Sequence, residues 1–127
     1  MTLKKLVEEF FNAGREALSS DDAEQLHALR IKAKRLRYTI EILQPTEFEQ
    51  RVERLKEVQK TLGEMHDAAV AAKFLRDLPA LSAEAGVLPM ELESESHSKI
   101  KQFHVLWREH FSSPRAAEEW IQWARRA

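Results

Sequence analysis

Six basic or proton-accepting side chains crowd into LHALRIKAKRLRY, residues 26–38, with no acid among them: His27, Arg30, Lys32, Lys34, Arg35 and Arg37. The whole chain carries a formal net charge of only −1, so its positive charge is concentrated rather than general. At about 100° per residue on an α-helix, the run sorts into two adjacent stripes. Leu26, Leu29, Ala33, Leu36, Ile40 and Leu43 make an apolar stripe of the width that faces a core. His27, Arg30, Lys34, Arg37 and Tyr38 make a second stripe beside it, about 15 Å long at the helical rise. Like charges one turn apart repel and weaken an isolated helix. Glu41, one turn after Arg37, neutralises one end of the row and leaves the rest for a multivalent anion. A guanidinium fork matches phosphate oxygens and an ammonium acts as a mobile point charge, so the mixed row suits a polymer of repeating phosphates. From charge alone, a solvated basic face salt-bridged to neighbouring helices explains the run equally well.

A second block, LKEVQKTLGEMHDAAV at residues 55–70, has the same two-stripe construction. Leu55, Val58, Leu62, Met65 and Ala69 form its apolar stripe, and Lys56, Gln59, Gly63, His66 and Val70 lie along one edge. Glycine inside a helix costs about 1 kcal/mol relative to alanine, so Gly63 calls for a cause: the approach of another backbone or a ligand, or tight helix packing. Asp67 follows His66 directly, but adjacent helical residues do not face each other. Asp67 is expected to pair with a basic residue on a neighbouring helix.

Together, LHALRIKAKRLRYTIEIL and LKEVQKTLGEMHDAAV resemble the signature of the CHAD family, the all-helical domain named for its histidines. Two separated, ordered blocks carry the resemblance, which is strong over about residues 20–78. It implies a helical bundle that binds inorganic polyphosphate in a basic groove, often in proteins that also carry a triphosphate-handling catalytic domain. Residue by residue it points to His27, Arg30, Lys34, Arg35 and Arg37 in the first block and to Lys56 and His66 in the second, with Lys32 and Lys73 matching less securely. A complete member resembles two related helical halves, each with its own pair of blocks. This chain has one pair, resembling that of the second half. Either two copies meet about a twofold axis to rebuild the groove, or the chain is a fragment; the homodimer is the expectation.

The elements that must position these residues are helices. Glycine and proline are scarce and no segment alternates as a half-buried strand does, so the expected fold is all-α, an antiparallel bundle of four to five helices in a single domain over residues 1–127. The first helix begins with Leu3, Leu6, Val7, Phe10 and Phe11 and ends near Ser19, and Ser20 or Asp21 caps the second. Pro45 closes the second helix. The third runs from about Glu47 to Leu78 and stops at Pro79; residues 79–89 form a connection; the fourth spans about Met90 to Phe111; and Pro114 opens a short fifth. At 127 residues the chain can bury one core. It has no cysteine, which excludes disulfides and thiolate metal sites. No apolar run approaches the roughly 20 residues needed to cross a bilayer, and the start lacks the pattern of a secretory signal, so the expected location is cytoplasmic, with no membrane partner.

His97 and His104 stand seven apart, too far along a helix to share one ion. His110, on the apolar side of the fourth helix with Ile100, Phe103, Leu106, Trp107 and Phe111, is expected in the core or an interface. Trp120 and Trp123 are expected to anchor the last helix. Three function classes compete. A polyphosphate-binding module without catalysis, cofactor or metal accounts for the row and the resemblance together. A metal-dependent phosphohydrolase needs clustered carboxylates or histidines around an open metal position, and only His66 with Asp67 hints at one. A nucleic-acid-binding bundle would use the row on phosphates but has no stacking set beyond Tyr38.

Overall fold

A computed structural model describes residues 2–43, 49–78 and 87–126. Five helices make up that structure: α1 (Leu3–Ser20), α2 (Ala23–Leu43), α3 (Glu49–Arg76), α4 (Val87–His110) and α5 (Pro114–Arg126). The fold is all-α, with α2 packed between α1 and α3, α4 against α3, and α5 against α1. Cross-helix contacts give the directions. Lys32 reaches back to Glu9, His27 meets His66, and Ser96 donates to the Met65 carbonyl at 3.1 Å, so α1 through α4 run alternately antiparallel. No described helix is long and apolar enough to cross a membrane.

Helix ends follow local chemistry. Thr2 Oγ1 accepts the Lys5 N–H at 3.2 Å and starts α1. Asp21 takes a left-handed conformation, φ 52°, and ends α1 rather than capping α2. The first α2 bond runs from Leu26 N–H to the Asp22 carbonyl, while Ser20 Oγ accepts the Asp22 N–H. His104 Nε2 of α4 lies 2.6 Å from Asp21 Oδ1, tying the α1–α2 turn across the bundle. α3 stops at Arg76, two residues short of the expected Leu78, and Asp77 forms a turn. α4 starts at Val87, so 87–89, expected as connection, are helical. Pro89 sits in the first turn, where its missing N–H has no intrahelical partner to lose. Ser113 Oγ caps α5 by accepting the Ala116 N–H at 3.0 Å, with Pro114 as the first helical residue. The expected boundaries at Pro45, Glu47 and Pro79 lie outside the described residues.

The core joins the apolar stripes of α1, α2 and α3 to an aromatic cluster supplied by α1, α4 and α5. Leu26, Leu29, Ala33, Leu36 and Ile40 are buried as expected, but Leu43, at the end of α2, is exposed. On α3, Ala68 and Ala72 are buried while Ala69 is exposed. The stripe turns there because α3 has α4 on one flank as well as α2 on the other. Phe10, Phe11, Phe103, Trp107, Phe111, Trp120 and Trp123 are buried, so the tryptophans of α5 do anchor it. Arg51 at the start of α3 lies over Trp123 at 4.5 Å and Trp120 at 5.5 Å, and burial followed by nearby Arg126 lowers its pKa. On the outer surface, Lys99 holds the Glu64 carboxyl below its ordinary range, and Arg76 does the same to Glu93, each chiefly by a hydrogen bond.

Candidate anion-binding face

The two sequence blocks come together side by side. The rings of His27 and His66 stand 6.2 Å apart, centroid to centroid. The next level of the interface is Arg30 over Gly63: a Cβ on Gly63 would lie 3.6 Å from Arg30 Nη2 and 3.7 Å from its Nε. Both contacts belong to one antiparallel register, which at matched helical rise continues with Lys34 opposite Gln59 and Arg37 opposite Lys56. One face therefore carries His27, Arg30, Lys34 and Arg37 from α2 and Lys56, Gln59, Gly63 and His66 from α3.

What approaches Gly63 is neither a backbone nor a tightly wedged helix but a guanidinium of the basic row. The absence of a side chain leaves the space in which Arg30 lies across the α2–α3 seam. The 3.6 Å spacing is ordinary van der Waals contact, so an alanine fits. Gly63→Ala is expected to raise stability by about 0.5–1 kcal/mol through helix propensity, whereas Gly63→Leu must push the guanidinium aside. Thermal melts of the two variants check this; an alanine variant that melts below wild type would show that the space is smaller than described.

Charges divide sharply around this face. Lys32 lies outside it, on the α1 side of α2, bonding Glu9 of α1 at 3.3 Å. Arg37 Nη1 pairs with Glu41 at 3.5 Å, as their spacing anticipated. Lys56, exposed, has Glu53 at 3.6 Å. Among the described residues no carboxylate pairs with Arg30, Lys34 or Arg35. Arg35 is exposed on the outer ridge of α2, about 100° around the helix from Lys34 and away from the seam. Asp67 is also exposed and pairs with no described residue, contrary to expectation; from its position it projects outward, while His66 lies toward α2. The feature that residue counting undervalued is Tyr38: Arg37 Cζ lies 4.6 Å and Lys34 Nζ 5.9 Å from its ring centre.

The CHAD domain model matches residues 1–76, all of α1, α2 and α3. The chain belongs to the CHAD family. No curated protein and no solved structure matches it significantly. In this CHAD domain the match ends with the last residue of α3, so the two helices that carry the face lie inside the family region, while α4 and α5 lie beyond it and brace α3 and α1 from behind. Exposed apolar side chains flank the face: Ile31, Tyr38 and Ile42 on α2, Val70 and Phe74 on α3, with Ile42 79% and Phe74 63% exposed.

Proposed function

We propose that this face binds inorganic polyphosphate and that the domain acts as a non-catalytic binding or targeting module. The observation that carries the reading is the juxtaposition of the two family blocks in one register, with Arg30 and Lys34 left without carboxylate partners among the described residues. Arg30, Lys34 and Arg37 contact successive phosphates. His27 and His66 donate hydrogen bonds at one end, and Lys56 extends the track at the other. A row of cations spaced along a helix seam suits a chain of phosphates, guanidiniums offering planar forks and ammoniums point charges to successive groups. A second copy, set about a twofold axis with the exposed apolar residues at the contact, would supply an opposing row; sedimentation would report its presence as a doubled mass.

A metal-dependent phosphohydrolase has less support, since among the described residues no group of three or more His, Asp or Glu is placed to hold a metal ion. Isothermal titration with long-chain polyphosphate and, in parallel, with a single-stranded oligonucleotide of comparable charge tests the reading. Polyphosphate is expected to bind more tightly, with an affinity that falls steeply between low and physiological salt as counterions are released. Equal affinity for the oligonucleotide would favour a nucleic-acid face, and no binding to either polymer would remove the anion reading.

A further inference from the structure

We propose that Tyr38 is a positioning residue of the anion face, its ring holding Lys34 and Arg37 in place before the polyanion arrives. This rests on the polyphosphate reading and adds to it the group that organises one end of the site. Tyr38 is 44% exposed, so core packing does not account for its position. Its hydroxyl makes no hydrogen bond to a described residue. Over its ring stand two cations of the same row, Arg37 Cζ at 4.6 Å and Lys34 Nζ at 5.9 Å from the centroid.

The physical need for such a residue follows from the row itself. Two like charges one turn apart move away from each other unless something attracts both. An aromatic ring does this without neutralising either, since its quadrupole draws a cation to the face while leaving N–H groups free to donate. A carboxylate at that position would hold the cations more firmly but compete with the phosphates for them. Glu41 takes that part only at the far edge, where it steadies Arg37 at 3.5 Å. Arg37 is thus fixed from two sides and Lys34 from one, and part of the entropy of ordering these long side chains is lost before binding rather than during it.

The test separates the ring from the hydroxyl and from the charge count. Tyr38→Phe keeps the ring and is expected to bind polyphosphate as wild type does. Tyr38→Leu keeps a helix-compatible apolar residue and is expected to bind about three- to ten-fold more weakly, the size of one or two exposed cation–π contacts. The dependence of its affinity on salt should stay as steep as wild type, because every cation still meets a phosphate in the complex. Circular dichroism on each variant confirms the helices. Wild-type affinity in Tyr38→Leu, an equal loss in Tyr38→Phe, or a shallower salt dependence in Tyr38→Leu would each overturn the proposal while leaving polyphosphate binding itself in place. Absence of binding by the wild-type protein would instead remove the reading on which it rests.

Discussion

Gly14→Ala is expected to destabilise the fold by about 3 kcal/mol or more, the upper end of what overpacking a core costs. A methyl group at that position would lie against Cη2, Cζ3 and Cζ2 at the outer edge of the Trp107 ring, well within the 3.0 Å that real Cβ contacts do not cross. Neither partner can yield cheaply. Gly14 is held by the backbone of α1. Trp107 is 2% exposed and enclosed by Phe111 at 4.9 Å, Phe10 at 5.5 Å, Phe11 at 5.7 Å and Phe103 at 6.1 Å between ring centres. Relief must come from shifting α4 away from α1, which opens the aromatic cluster. Chemical denaturation would measure the loss, and a midpoint close to wild type would show that the indole has another place to go. Trimming the ring in the double variant Gly14→Ala, Trp107→Leu is expected to cost less than the sum of the single changes, since the clash is then absent.

The second large effect concerns binding. Reversing the two cations of the seam that have no carboxylate partner among the described residues, Arg30→Glu with Lys34→Glu, is expected to weaken polyphosphate binding at least about a hundredfold, because each charged hydrogen bond to a phosphate is worth about 1.5–3 kcal/mol. Helicity should survive, as both side chains leave the core untouched. Reversing Arg37 is a poorer test. Its guanidinium is half-buried and already paired with Glu41, so a glutamate there would face Glu41 one turn away and weaken α2 for reasons unrelated to the ligand. Arg35→Glu provides the control of position: on the outer ridge of α2 it is expected to cost less than about tenfold, the residue being outside the register of the seam. A loss as large as that of the double reversal would move the site from the seam to the ridge. Titration of the three variants at one salt concentration decides between them.

The fold class and the basic row were legible in the residues because both depend on local periodicity. A stripe such as Leu26, Leu29, Ala33, Leu36 and Ile40 announces a helix and its buried side together, and the cations beside it share that helix whatever it packs against. Even the pairing of Arg37 with Glu41 is local, one turn along a single helix. Other expectations failed at helix ends or against a neighbour. Pro89 looked like connection because its place in a first turn is set by where α4 begins. Asp67 was expected to find a basic partner, and its angular position on α3 directs it outward instead.

Gly14 and Gly63 show where that boundary falls. Each stands alone in a helical run, and no rule of spacing separates them. In the folded chain Gly14 has an indole against its backbone while Gly63 has room for a methyl group beneath Arg30. The same holds for the site: the sequence by itself determined a bundle of four to five helices and the cations that share one edge of α2. Only the tertiary structure decided that His27 meets His66, that Arg30 crosses to Gly63, and that Lys32, on the opposite flank of α2, finds Glu9 as its partner. The physical reason is that a helix's own geometry fixes angles around its axis, whereas register between helices is chosen by the packing of the whole core.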